Sequence, residues 1–298
     1  QTHDSEEDQR NENVLINING ELIERNLAKI SVFDSGFLLG DGVWEGLRLY
    51  EGRWAFWKEH FNRLFEAAKA IDLDIGLTQE KLFKMLEHTR IQNEMYRDVH
   101  ARVMVTRGTK KKPFQHPNLS IYGPTIVIIM EHSKPLSSLQ KGIKLATVAQ
   151  VRGLPMSQDP KLNSHSKLNC VLACIQAEKA GADEALMLDP LGFVNTTNAC
   201  NFFVVKNNQL WTSTGDYCMN GITRKKVIEI CLEKSIPIFE RNFSLSETYS
   251  ADEAFLTGTF GSQTFISEID RHRIGDGKIG PITSKIKQFY IEKICNEC

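Results

Sequence analysis

From Val14 to Ile23 apolar and polar positions alternate on both sides of Asn19-Gly20, the pattern of two strands joined by a two-residue turn. Between Trp57 and Leu73 the apolar residues Phe61, Leu64, Phe65, Ala68 and Ile71 recur at helical spacing, which predicts a helix. A second helix is predicted over Thr78 to Gln92, with Thr78 as its N-cap. Val99 to Thr106 alternates as a strand, and Ser120 to Met130 holds the buried-strand run Thr125-Ile-Val-Ile-Ile-Met130. The polar stretch that follows, with its Pro and Gly, is the candidate linker (residues 134–142) between a small domain over 14–133 and a larger one over 143–298. Beyond it, Ile143 to Val151 is expected as a strand and Lys167 to Ala180 as a helix. Glu184 to Leu188, Phe202 to Lys206 and Gln209 to Thr212 are expected as strands, the last two joined through Asn207-Asn208. Gly221-Ile222-Thr223 opens a helix running to about Glu233. Strands and helices mix without regular alternation, so the expected class is α+β and not a doubly wound parallel sheet.

Composition narrows the function classes. Apolar residues make up 41% of the 298 and charged residues 24%, enough for a substantial core. A formal net charge of −1 implies neither nucleic acid nor an anionic membrane as a bulk partner. No apolar run reaches the roughly 18–20 residues of a spanning helix. Gln1 to Asn13 is polar and acidic, lacks the basic and apolar regions of a signal peptide, and is expected to be disordered. The seven cysteines are scattered singly, with no CxxC pair and no Cys/His spacing for a metal. They fit reduced thiols in a cytoplasmic protein.

Four segments are candidates for chemistry. Asp34-Ser-Gly-Phe-Leu-Leu-Gly-Asp-Gly-Val-Trp-Glu-Gly-Leu-Arg48 is rich in glycine, but it is neither a Walker loop nor a dinucleotide fingerprint, and by itself it reads as a loop entering a strand. His60-Phe-Asn-Arg-Leu64 puts Arg63 on an amphipathic helix, where an arginine commonly only faces solvent. Asn220-Gly-Ile-Thr-Arg224 precedes a helix, whose unpaired N–H groups make either a phosphate cradle or a plain N-cap. Leu256-Thr-Gly-Thr-Phe-Gly261 is a strand entering a Gly/Thr loop, which supplies a further hydroxyl or only a turn.

Taken together and in this order, these motifs resemble the pyridoxal-phosphate (PLP) enzymes of fold type IV, the class IV aminotransferases. The group includes branched-chain and D-amino-acid aminotransferases and aminodeoxychorismate lyase. The resemblance runs from about Leu15 to Ile291, through Gly40-Asp-Gly-Val-Trp-Glu, Val105-Thr-Arg-Gly-Thr109, Ala182-Asp-Glu-Ala-Leu-Met-Leu-Asp189 and Asn201-Phe-Phe203. It implies a two-domain fold with the D-amino-acid aminotransferase architecture, PLP as cofactor, and a homodimer. It further implies that Arg63, Gly221, Ile222, Thr223 and Thr259 hold the cofactor phosphate, while Phe37, Arg48, Arg102 and Phe260 line the substrate side. A guanidinium fork, a helix N-terminus and hydroxyls suit a phosphate dianion.

Two departures stand out. Asp159-Pro-Lys-Leu-Asn-Ser-His-Ser-Lys-Leu-Asn-Cys-Val-Leu-Ala173 aligns without a gap on the family segment that carries the Schiff-base lysine, and the lysine falls on Asn163. Asparagine cannot make that bond. If residues 163 and 167 share the first helical turn, about 6 Å apart along the axis, Lys167 leans back toward 163 and becomes the expected catalytic lysine. Lys161 is the alternative and requires a two-residue slip. The family glutamate at the pyridine nitrogen falls on Thr196, whose hydroxyl leaves the ring a weaker electron sink. Lys112 and Phe114 stand where the D-amino-acid enzymes keep an arginine and a histidine. The function implied is amino transfer between an amino acid, branched-chain ones being a candidate class, and a 2-oxo acid. A PLP-dependent lyase and a PLP-binding protein without catalysis are the alternatives.

Overall fold

The computed structural model describes Thr2, Ser5–Lys134 and Lys141–Cys298. The chain divides into two units. The smaller comprises Glu6–Lys134, Leu162–Lys167 and Cys298; the larger comprises the described residues of Gln1–Ser5 and Pro135–Lys161, with Leu168–Glu297.

In the small unit, β1 (Leu15–Ile18), β2 (Glu21–Glu24), β3 (Gly42–Tyr50), β4 (Arg53–Trp54), β5 (Val99–Thr106) and β6 (Thr125–His132) form one antiparallel sheet in the order β2-β1-β6-β5-β3-β4. The Asn19-Gly20 turn takes positive φ at both residues, 54° and 95°, as a two-residue hairpin requires. A short helix α1 (Ser35–Leu39) and two longer ones, α2 (Trp57–Ala70) and α3 (Gln79–Gln92), complete the unit. Thr78 caps α3 by accepting from the Lys81 N–H. Alternate residues of β3, β5 and β6 (Val43, Leu47, Val103, Ile128) pack against Phe61, Leu64, Leu82 and Leu86. The glycine-rich segment serves this framework. Asp34 caps α1 and accepts from the Thr106 hydroxyl, while Asp41 takes a fork from Arg107 and a hydrogen bond from Ser35.

Two expectations need correcting here. Within the N-terminal stretch expected to be disordered, Gln9–Asn13 forms a 3-10 turn capped by Asp8, and Thr2 is buried with its N–H and hydroxyl on Glu184. A capped turn and a satisfied buried end are local order that a purely polar composition does not reveal. The segment expected to begin the helix at Lys167 is extended instead: Leu162–Lys167 lies along the free end of β3. Trp44 N–H donates to Asn163 O at 3.0 Å, and His165 N–H to Gly42 O at 2.9 Å. Most of the expected linker (135–140) lies outside the described residues.

The large unit contains β7 (Ile143–Thr147), α4 (Pro155–Gln158), α5 (Leu168–Lys179), β8 (Glu184–Leu188), β9 (Val194–Thr197), β10 (Asn201–Lys206), β11 (Gln209–Thr212), α6 (Ile222–Glu233), β12 (Ile238–Glu240), α7 (Leu245–Tyr249), β13 (Glu253–Gly258), β14 (Ser262–Ile269), β15 (His272–Arg273) and α8 (Pro281–Glu297). Neighbours run β12-β11-β10-β13-β14-β7-β8-β9, and β9 pairs back onto β10 through Asn201 and Thr196. That pairing closes six strands into a ring. Phe202, Leu256, Ile266, Leu145 and Leu186 belong to one core cluster, together with Phe243. On the opposite face Phe203 and Phe255 stack, 5.0 Å between centroids, beneath α6 and α8, while Ala185 and Met187 meet Ala173 and Ala177 of α5. The pairings β7–β8, β14–β7 and β11–β12 are parallel, so β–α–β crossovers through α5 and through α6 sit inside a largely antiparallel α+β architecture.

One charged group interrupts the small core. Glu45 occupies a core position of β3 and is fully enclosed; His60 Nδ1 lies 2.7 Å from one oxygen, and Arg63 forks onto both, Nε at 2.6 Å and Nη2 at 2.7 Å. Burial alone would raise the Glu45 carboxyl, but the Arg63 charge and the hydrogen bonds from His60 and Arg63 hold it below the ordinary carboxylate range. The stability this contributes is present above the unfolded-state pKa of a glutamate and is lost as pH falls through the lower folded value. Arg63→Ala strands a buried carboxylate and should destabilise the protein by about 3–5 kcal/mol at pH 7 in urea unfolding. Adding Glu45→Gln should recover part of that loss; a single variant as stable as the parent would contradict the pairing.

Candidate active site

In an antiparallel ladder, directly opposed residues project on the same side of the sheet. The register of the large unit opposes Thr196 to Asn201, Asn201 to Thr257, and Thr257 to Gln263. Four polar side chains therefore form one row across four strands, β9, β10, β13 and β14. The row shares its face with the helices, between the α5 patch around Met187 and the α6/α8 patch around Phe255. All four residues are buried. Asn201 is satisfied: its Nδ2 donates to Met219 O at 2.9 Å and its Oδ1 accepts from Gly221 N–H at 3.2 Å. Thr196 donates its hydroxyl to Cys200 O at 2.7 Å. Thr257 Oγ1 and both amide atoms of Gln263 have no hydrogen-bond partner, although each residue is only 2% exposed.

Through Asn201 the row also fixes the start of α6. Gly221 is the N-cap residue, and a Cβ there would come within 2.4 Å of Asn201 Oδ1, so any side chain at this position would displace the Asn201 amide. No side chain caps this helix, which leaves first-turn N–H groups beside the row. Ile222 and Thr223 are buried in that turn, with Thr223 Oγ1 3.4 Å from the Tyr290 hydroxyl. Thr259 and buried Phe260 sit in the β13–β14 hairpin. The hairpin enters at Gly258, where a Cβ would lie 2.9 Å from Cys200 Sγ. Thr196, Gly221, Ile222, Thr223, Thr259 and Phe260 thus all belong to the large unit.

Cations surround the same end of α6. Arg224 donates to Ser213 O and to Glu240, each at 2.7 Å, and Arg152 donates to Thr197 O at 3.0 Å; the Nε of each is buried without a partner. Burial pushes the Cys200 thiol up to about 12 and raises Cys218 despite the charges of Arg224, Arg152 and Lys161. Neither thiol is a nucleophile near neutral pH. The chemistry on offer is anion binding by backbone N–H groups, hydroxyls and nearby cations.

The remaining expected residues lie in the small unit. Arg63 is engaged with Glu45 as described. Arg102 stacks on Trp44, 3.9 Å from the ring centroid, and burial lowers its pKa; its Nε has no partner. Arg48 is buried too, donating to Ser133 O and lying 3.5 Å from Asp98. Both arginines project from the sheet face opposite the apolar core, since they alternate with Leu47, Leu49, Ala101 and Val103. Phe37, on α1, is 70% exposed.

Asn163 is extended and only 4% exposed, so the shared helical turn that would aim Lys167 at it does not exist. The helix starts after Lys167, whose Nζ lies 5.7 Å from the Trp44 ring. The bonds from Gly42–Trp44 hold this stretch out of the helix. Lys161 is the last residue of its stretch in the large unit. Sequence reasoning missed Asn201, Thr257, Gln263 and Glu45. Glu45 had a signal, an acid at the core parity of an apolar strand; of the row only Thr196 was expected at the cofactor, because its alignment with the others depends on the register of distant strands.

Residues 42–269 match the family described as amino-transferase class IV. The chain is 39% identical over 280 residues to "branched-chain-amino-acid aminotransferase-like protein 2" of Arabidopsis thaliana, covering 94% of this chain and 50% of that protein. It spans about half the length of that relative. It is 32% identical over 276 residues to the D-alanine aminotransferase of Staphylococcus haemolyticus, covering 92% and 95% of the two chains. Among solved structures, the branched-chain amino acid aminotransferase of T.th. with pyridoxamine 5'-phosphate superposes with a TM-score of 0.87 at 28% identity, over 95% of each chain. The motifs, the two-unit fold and these likenesses agree: this chain belongs to the class IV aminotransferase family.

Proposed function

We propose that this chain binds pyridoxal 5'-phosphate in its large unit and moves an amino group between an amino acid and a 2-oxo acid. The observation that carries the cofactor is the pair of buried, unpartnered side chains, Thr257 and Gln263, in one row with the residue that fixes the start of α6. A phosphate dianion wants several converging donors. The α6 N–H groups, Thr223, Thr259 and the row supply them, and Arg152 and Arg224 add positive charge. The solved relative named above holds the amino form of that cofactor. The part that the resemblance gives Arg63 at the phosphate rests on the resemblance alone.

When bound, PLP supplies an aldehyde that takes up the amino group and a conjugated ring that draws electrons from the carbon losing its proton. The protein's own residues do the rest. Gly221, Ile222 and Thr223 anchor the phosphate. The Thr196 hydroxyl donates its hydrogen bond to Cys200 O, so toward a ring nitrogen it offers only lone pairs, a weaker partner than a carboxylate. The resemblance assigns Arg48, Arg102, Phe37 and Phe260 to the substrate, with either arginine a candidate for its carboxylate. A lysine flanking Asn163, either Lys161 or Lys167, holds and moves the proton. The aminotransferase names of the relatives favour this reading over a lyase. Branched-chain amino acids are the substrate class to test first.

The proposal includes a homodimer in the cytoplasm. Leu168, Val171, Leu172 and Ile175 form an exposed apolar stripe on α5 at helical spacing, a face suited to a second copy of the chain. Val171→Glu with Ile175→Glu should yield monomers in sedimentation velocity, and a parent that is already monomeric would contradict the dimer.

The cofactor reading makes a two-sided prediction for Thr257→Val, which removes a hydroxyl and little else. Without PLP the variant should be at least as stable as the parent, because an unsatisfied buried hydroxyl is gone. With PLP it should retain the cofactor about 10- to 100-fold less tightly, the worth of one hydrogen bond to a charged group. Equilibrium dialysis and thermal melts check both arms. Unchanged retention would place the phosphate elsewhere, and no pyruvate-, glutamate- or leucine-dependent conversion of the cofactor in the parent would remove amino transfer.

A further inference from the structure

Thr223 stands in the first turn of α6 with its Oγ1 3.4 Å from the hydroxyl of Tyr290 on α8. Both residues are buried, each 3% exposed, and both helices belong to the large unit. The way α8 is held brings the phenol to this place. Glu253, at the start of β13, caps the helix: its carboxylate accepts from the Ile282 and Thr283 N–H groups at 3.0 and 2.8 Å and from the Thr283 hydroxyl at 2.6 Å. Thr283, Ile286 and Tyr290 share one face of α8 at helical spacing, and Glu253, Phe255 and Thr257 share one face of β13. Thr283 meets Glu253, and Ile286 lies in one core cluster with Phe255. The same progression carries Tyr290 toward Thr257, the unpartnered hydroxyl of the polar row. Farther along, Lys293 lies 3.7 and 2.8 Å from Glu229 and Glu233 of α6, and Lys226 of α6 lies 3.3 Å from Glu297. A cap at one end and ion pairs at the other hold α8 against α6, with the phenol between them.

Resting on the cofactor reading above, we infer that Tyr290 is a positioning residue for the cofactor phosphate and acts through Thr223. A threonine hydroxyl has one proton to donate and two lone pairs to accept with. A phosphate dianion at the start of α6 offers only acceptors, so Thr223 must aim its proton at it. Near a helix start a threonine hydroxyl can instead turn its proton onto a neighbouring backbone carbonyl. A Tyr290 hydroxyl that donates to Thr223 Oγ1 fills a lone pair and leaves the Thr223 proton directed elsewhere, toward the phosphate. Two hydroxyls in a chain also polarise one another, which makes the second a stronger donor. Tyr290 itself does not touch the phosphate in this arrangement; it sets the direction in which Thr223 donates. A phenylalanine at the same place fills the same space and lacks only this.

Tyr290→Phe keeps the ring and removes the hydroxyl. In equilibrium dialysis the full chain carrying it should retain PLP about 3- to 10-fold less tightly, as expected for the loss of one neutral hydrogen bond. The phosphorus NMR resonance of the bound cofactor should also move. A general loosening of the packing between α6 and α8 would weaken retention too, so the decisive arm is a double-mutant cycle with Thr223→Val. Once the Thr223 hydroxyl is gone, Tyr290→Phe should weaken retention no further. Losses that simply add, an unmoved resonance, or retention equal to the parent's in either single variant overturn the inference while the cofactor reading stands. A parent that retains no PLP overturns the cofactor reading itself and the part of Tyr290 with it.

Discussion

A hydroxyl or an amide buried without a hydrogen-bond partner costs roughly 1–3 kcal/mol, and the large unit holds both in one row, at Thr257 and Gln263. The pairing of Thr196 with Asn201 that joins β9 to β10 sets the register, and the register puts these side chains beneath the helix layer. Apolar residues at the same places would remove the penalty and leave the ring intact. The proposed phosphate site would account for the polar row, and Asn201 joins the row to the start of α6, which has no side-chain cap.

The small unit handles buried polarity in the opposite way. Glu45, His60 and Arg63 satisfy one another inside an apolar core, and Asp34 and Asp41 satisfy the turn around α1. Such self-contained networks fix a geometry. Arg63 shows how a motif residue can hold its own unit together whatever else it touches. The face of the same sheet that carries Arg48 and Arg102 retains an unpartnered guanidinium nitrogen, and Arg102 rests on Trp44.

The legible parts of the sequence were those governed by near neighbours. The hairpin at Asn19-Gly20, the strands Val99–Thr106, Glu184–Leu188 and Gln209–Thr212, and the α3 cap at Thr78 follow from turn chemistry and periodicity within a few residues. The start of α6 was legible for the same reason. The segment around Asn163 was not: its helical appearance is overridden by backbone bonds to Gly42 and Trp44, more than a hundred residues away. Its division between two units was equally hidden. Of the polar row, Thr196 was expected at the cofactor and Thr257 lay in a singled-out Gly/Thr segment, but their alignment with Asn201 and Gln263 appears only in the ladder.

We propose that the α6 N-terminus and the polar row form a phosphate site. A crystal structure of the protein grown with pyridoxal 5'-phosphate addresses it most directly. The account predicts the phosphate within hydrogen-bond distance of the Ile222 and Thr223 N–H groups, with Thr257 or Gln263 newly partnered by the cofactor or by water bound to it. A phosphate lying away from α6, with that pair still unpartnered, would contradict it.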